Sequence, residues 1–267
     1  MSETIYEIRD LRLSFRDMAH KPVFKPASGI EVLKGLSFNI AKGGVLGIVG
    51  GSGSGKSTLG RAMVRLLEPS SGMIRFQGRD ITHLNEDTLR PLRRKFQMIF
   101  QDPMSSLNPR RTVFAIIAAP LRLHKFDRVA IRVEEALDMV GLPRNFKNRY
   151  PHELSGGQRQ RVGIARSIAT EPEFILADEI VSGLDVSSQA QVLNLLEQLV
   201  RDLGLTLAFI SHDLSVVRRL CQHTIVMHQG EIVEAQQTAK LFENPTTTYT
   251  RELIDAIPLP NLDQHWI

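Results

Sequence analysis

Val45-Leu46-Gly47-Ile48-Val49-Gly50-Gly51-Ser52-Gly53-Ser54-Gly55-Lys56-Ser57-Thr58 is the stretch on which the reading turns. Residues 45–49 form a short apolar run ending in glycines, which suits a strand buried in a parallel sheet. Residues 50–57 match G-x-x-x-x-G-K-[ST] without a gap. The residues that follow read as helical. Strand, glycine loop and helix in that order make a phosphate cradle. The glycines let backbone N–H groups turn inward around an anion, and the helix N-terminus adds its partial positive charge. Lys56 has the reach for β- and γ-phosphates, and the Ser57 hydroxyl suits Mg²⁺.

Working outward, Leu11, Leu13 and Phe15 alternate with polar residues, as do Leu36, Phe38 and Ile40. Both stretches predict half-buried strands, with a long loop over 16–30 between them. A helix is expected over 59–67 and strands over 73–76 and 96–100. From about 104 to 170 the chain turns helical, with helices over 129–140 and 158–169. A buried strand over 174–177 follows. Val192, Leu195, Leu196, Leu199, Val200 and Leu203 then mark an amphipathic helix, and strands are expected over 205–210 and 224–227. Strands alternating with helices predict an α/β fold with a mostly parallel sheet. The expected division is a nucleotide-binding core of 1–103 and 171–243, a helical subdomain of 104–170 and a C-terminal extension of 244–267.

At 267 residues, with 42% hydrophobic and 23% charged residues, the chain can bury a real core, which excludes global disorder. The net charge of +4 is mild over this length and reads first as a solubilising surface. The single cysteine, Cys221, excludes a disulfide framework or a cysteine-ligated cluster within one chain and points to a reducing compartment. The first ten residues, MSETIYEIRD, carry no apolar stretch of the signal-peptide kind. The longest apolar run, residues 113–121, contains a proline near its end and falls well short of the ~18 residues a membrane helix needs. The basic run Arg90, Arg93, Arg94, Lys95 lacks interleaved aromatics. It reads as a solvated face or a surface near lipid head groups rather than a nucleic-acid site.

A second candidate lies at Phe174-Ile175-Leu176-Ala177-Asp178-Glu179, an apolar strand ending in two carboxylates. Asp178 at a strand end is placed to hold Mg²⁺ through its waters. Glu179 then points where a hydrolytic water would sit, as a general base. Acids after a strand also serve as helix N-caps; beside a phosphate loop they make a nucleotide hydrolysis site.

Leu154-Ser155-Gly156-Gly157-Gln158, upstream of FILADE in a chain carrying GGSGSGKS, resembles the ATP-binding subunit of an ABC transporter over residues 4 to about 260. The resemblance implies a P-loop ATPase core with an N-terminal antiparallel β region and a helical subdomain insertion, using ATP and Mg²⁺. It implies that Phe15 stacks on adenine, and that residues from Gly50 to Thr58 bind ATP. By the same resemblance, Gln101 would contact Mg²⁺ and the attacking water, and the signature, Leu154 to Gln158, would bind the γ-phosphate of ATP held by a partner subunit. Ser182-Gly183-Leu184-Asp185 would couple the two sites of the dimer, and His212 would bond the γ-phosphate. From the residues alone, Phe15 could be core, Ser155 an ordinary N-cap, Asp185 a cap and His212 structural.

FQMIFQDPMSSLNPR, RYPHELSGGQRQRVGIARSIA, FISHDLSVVRRLC and LFENPTTTYTRELIDAIPLP resemble the subgroup serving dipeptide, oligopeptide and nickel importers. That implies integral membrane permease subunits, a second ATPase subunit (this chain or a sibling) and, indirectly, an extracytoplasmic solute-binding protein. Nucleic acid is not an expected partner. The implied place is peripheral, on the cytoplasmic face of the cell (inner) membrane. One phosphate loop, one signature and no extended heptads set this chain apart from ABC ATPases of DNA repair or translation, and its tail sets it apart from exporters. Three departures stand out. Ile180 occupies a position where proline is usual, which predicts a looser loop. Gly183 replaces a usual alanine, and Thr247-Thr248-Tyr249-Thr250 stands where His-Pro-Tyr-Thr is expected.

Overall fold

The computed structural model describes residues 3–16, 29–102 and 106–257. The alternating segments near the start pair as long antiparallel strands, β1 (Thr4–Arg16) and β2 (Gly29–Ala41). β3 (Val45–Val49) belongs to a different sheet. β4 (Ser71–Phe76) and β5 (Arg79–Asp80) join the first two in the order β2-β1-β4-β5. The second sheet adds β6 (Phe96–Ile99), β7 (Phe174–Asp178), β8 (Thr206–Ile210), β9 (His223–His228) and β10 (Glu231–Gln237). Its order is β10-β9-β3-β8-β7-β6, parallel except for β10 against β9.

Strand alternation sorts two cores. Val45 and Val49, Ile175 and Ala177, and Leu207 and Phe209 face one; Leu46 and Ile48, Phe174 and Leu176, and Ala208 and Ile210 face the other. A strand buried on both faces must be apolar throughout, which is why these segments read as unbroken runs. The second core is closed by the antiparallel sheet with α1 (Lys56–Met63) and α2 (Glu86–Arg93). Gly60 lets α1 settle there, because a Cβ would come 2.6 Å from Leu176 and 2.9 Å from Ile210. The first core is closed by α3 (Val113–Leu123), α4 (Val129–Met139), α5 (Gly156–Ile168), α6 (Val186–Leu203), α7 (Leu214–Leu220) and α8 (Thr238–Glu243). A last helix, α9 (Thr248–Asp255), follows.

Several expectations need correction. The helix expected over 59–67 stops at Met63, because Arg65 takes a left-handed φ of 55° and its Nε donates to Ile81 O at 2.9 Å. The apolar run over 113–121 lies in α3, which carries Pro120 inside it and continues to Leu123. So near the helix end, the missing N–H removes a single ladder bond. The amphipathic stripe of α6 stops short, leaving Leu203 exposed before Gly204. Arg16, Gly29 and Ile30 belong to strands rather than a loop. The rest of that loop (17–28), residues 103–105, and the tail from 258, with Trp266, lie outside the described residues. Among the described residues, no helix is long and apolar enough to cross a membrane.

Candidate functional site

Four parallel strands, β3, β6, β7 and β8, deliver their carboxyl ends to one place, where open α/β sheets bind ligands. β3 runs into the glycine loop, β6 into Gln101, β7 into Asp178 and Glu179, and β8 into Ser211 and His212.

The loop can turn off β3 because Gly50 adopts φ 148°, and a Cβ there would lie 2.1 Å from Met227 O. At its far end Gly55 caps α1 at φ 99°, with no side chain occupying the helix's first N–H groups and no acid in the first turn. Those donors stay open to an anion. Lys56 is buried, its Nζ donating to Gly50 O at 2.8 Å and Gly51 O at 2.9 Å. Burial pushes its pKa down, and the charges of Glu179 and Asp178 oppose the shift. Ser57 Oγ donates to Asp178 Oδ1 at 2.9 Å. Burial raises the Asp178 pKa, with that hydroxyl pulling it back.

Glu179 holds a left-handed φ of 49°, a strained backbone for a carboxylate residue. The turn is over-determined: its N–H donates to Ile210 O at 2.9 Å, and its carbonyl accepts from Ser182 N at 3.1 Å and Ser182 Oγ at 2.7 Å. This aims the carboxylate at Gln101, whose Nε2 donates to Oε2 at 3.0 Å, and at His212, whose Nδ1 lies 3.4 Å from the same oxygen. Asp178 and Glu179 are thus not helix caps. A cleft of about 460 Å³ is lined by Ser52, Gly53, Ser54, Gly55, Lys56, Ser57 and Thr58 on one side and by Gln101 and Glu179 on the other. Phe15, on β1 and 44% exposed, sits at its rim with Val32.

The signature is elsewhere. Ser155 caps α5 in a reciprocal box: its Oγ accepts from Gln158 N at 3.3 Å, and Gln158 Oε1 accepts from Ser155 N at 3.0 Å. Leu154 is buried, and none of residues 154–158 lines the cleft. A Cβ on Gly156 would sit 3.6 Å from Leu184, so the start of α5 abuts the 182–185 turn. In that turn Gly183 has φ 77°, a conformation glycine adopts freely, and Asp185 caps α6 by accepting from Ser188 N at 2.9 Å. Ile180 is 1% exposed and packs into the first core. Its side chain is thus anchored in that core.

One contact was not foreseen. Gly51 N donates to the hydroxyl of Tyr249 on α9 at 2.8 Å, across 198 positions of sequence. No local pattern joins two such residues.

The chain matches the ABC transporter family over residues 33–182. It is 48% identical over 262 residues to the oligopeptide transport ATP-binding protein AppF of Bacillus subtilis (strain 168), covering 96% of this chain and 79% of that one. It is 44% identical to the oligopeptide transport ATP-binding protein OppF of Salmonella typhimurium, covering 98% and 80%. Among solved structures it resembles cbiO1 from Clostridium perfringens, part of the ABC transporter complex cbiONQ (TM-score 0.78, 30% identity, 91% of this chain and 92% of that one). It also resembles the ATP-binding cassette MJ0796, seen as a dimer in a post-hydrolysis state bound to ADP and Pi (TM-score 0.77, 29% identity, 88% and 99%). This chain belongs to the ABC transporter family, as one of its ATP-hydrolysing cassettes.

Proposed function

We propose that this chain is the ATPase subunit of a peptide importer, working as one of two cassettes beneath separate membrane subunits on the cytoplasmic face of the inner membrane. The observation that carries the chemistry is the convergence of Gln101 and His212 on one Glu179 oxygen, facing the phosphate loop across a single cleft. The importer assignment rests on relatives that are themselves oligopeptide transport and peptide import ATP-binding proteins. An extracytoplasmic binding protein would hand the peptide to the membrane subunits.

The loop N–H groups and Lys56 hold the β- and γ-phosphates, and Phe15 stacks on the base. Glu179 takes the proton of the attacking water. His212 donates to the γ-phosphate as charge develops on it. The Ser57 hydroxyl and the Asp178 carboxylate are hard oxygen donors 2.9 Å apart. Two protein oxygens beside phosphates match the way Mg²⁺ is bound in nucleotide sites. When bound there with Gln101 nearby, Mg²⁺ would neutralise phosphate charge. Ser155, Gly156, Gly157 and Gln158 serve the ATP of the partner subunit, and 182–185 couples the two sites. The signature helix belongs to a helical unit, 104–170, inserted in a core of 1–103 and 171–243, with 244–267 as an extension.

The test is uptake of a labelled oligopeptide by cells lacking this chain. Uptake should fall to background, return with the wild-type chain and stay lost with Glu179→Gln. Uptake unchanged by the deletion would refute the peptide assignment.

A further inference from the structure

We infer that Tyr249 is a positioning residue for ATP binding: α9 holds the phosphate loop in its binding shape through the Tyr249–Gly51 hydrogen bond. The inference rests on the reading of residues 50–58 as an ATP site.

Gly51 is the first residue of the loop's free arc, and its N–H ends on Tyr249 Oη at 2.8 Å. The carbonyl of the same residue accepts from Lys56 Nζ at 2.9 Å and from Ser54 N at 3.3 Å. One residue thus ties the lysine to the loop on its acceptor side and the loop to α9 on its donor side. A Cβ on Gly51 would stand 3.0 Å from the hydroxyl, so glycine here makes room for the contact. Tyr249 does not line the nucleotide cleft. Its influence on a ligand therefore runs through the Gly51 backbone.

Tyr249 is itself held on two sides. Its ring lies 4.0 Å from that of His228, centroid to centroid, at the end of β9. The N-terminus of α9 is fixed to β10 by Glu234, a buried carboxylate whose Oε1 accepts from Thr246 N at 2.8 Å and whose Oε2 accepts from Thr247 N at 3.1 Å and Thr247 Oγ1 at 3.2 Å. Thr247 Oγ1 in turn accepts from Thr250 N at 3.1 Å, capping the helix. A rigid path runs from the sheet through Glu234 and Thr247 to Tyr249 and Gly51. Such a brace raises the fraction of molecules whose loop is ready for phosphate, and apparent affinity scales with that fraction.

The test compares direct binding of Mg-ATP by the full-length wild-type chain, Tyr249→Phe, Thr247→Ala and the double variant, with steady-state kcat and KM alongside. Tyr249→Phe keeps the ring on His228 and loses only the hydroxyl. Its dissociation constant should rise about two- to tenfold, the worth of one hydrogen bond, with kcat at saturating ATP within about twofold of wild type. Thr247→Ala should also weaken binding, and the double variant should be no weaker than Tyr249→Phe alone, since both act through one bond. Wild-type affinity in Tyr249→Phe, or a fall in kcat at unchanged affinity, would overturn the inference while leaving the ATP site standing. So would two losses that multiply. A wild-type chain that binds no nucleotide would overturn the underlying reading itself.

Discussion

Lys56 is a cation stored under cover: burial works against its charge, and Glu179 with Asp178 works for it. Its Nζ donates to the carbonyls of Gly50 and Gly51, neutral acceptors that charged phosphate oxygens would outcompete. Lys56→Ala should lower ATP affinity ten- to a hundredfold, the worth of a charge-assisted contact of roughly 1.5–3 kcal/mol. Isothermal titration with Mg-ATP checks this, and wild-type affinity would remove Lys56 from the site. At this scale the sequence was unevenly legible. Gly50 to Ser57 could be read directly, since a loop that wraps an anion with consecutive N–H groups must be contiguous. Gln101 and His212 could not be read from their own surroundings. They are single residues after strands, and only the sheet's parallel order brings them to the Glu179 carboxylate. Tyr249 was beyond reach for the same reason.

Elements were legible where burial imposed a period. The strands buried on both faces and the stripe of α6 followed from their apolar spacing. α2 and β10 did not, because each is mostly polar and takes its place from partners. In α2, Asn85 accepts from Thr88 N at 3.0 Å, and Arg93 reaches back to Glu86 at 2.9 Å and to Val64 O at 3.1 Å. One member of the basic run is therefore turned inward. β10 depends on pairing with β9, and in return carries Glu234, the anchor of α9. Burial alone would raise the Glu234 pKa, but hydrogen bonds from Thr250, Thr246 and Thr247 outweigh it and hold the value at about 2. Since the folded value lies below the unfolded one, the anchor's stabilisation is complete above about pH 4.5 and fades as pH falls toward 2. Glu234→Gln should therefore melt below wild type at pH 7, with the gap closing as pH falls below 4.5. A gap that is constant across pH 7 to 3 would assign Glu234 no such role.

For the whole molecule, the geometry that matters is a separation. The phosphate loop and Glu179 share a cleft, while the signature at the start of α5 lies outside it, against the 182–185 turn. The uncapped N-terminus of α1 and the Ser155-capped N-terminus of α5 would serve one nucleotide only if a second cassette supplied one of them. ATP should therefore drive Glu179→Gln, which is expected to leave ATP unhydrolysed, to twice the mass of one chain in light scattering, and ADP should not. A chain that binds ATP yet stays at single mass would assign the second cassette to a different chain. In the proposed mechanism this assembly hydrolyses ATP with Glu179 as base. The most direct measurement is the ATPase rate of the transporter purified with its membrane subunits, carrying either wild-type chain or Glu179→Gln. The substitution keeps size and hydrogen bonding and removes basicity, so turnover should fall about 10²–10⁴-fold with ATP affinity unchanged. Hydrolysis by Glu179→Gln at the wild-type rate would rule Glu179 out as the base.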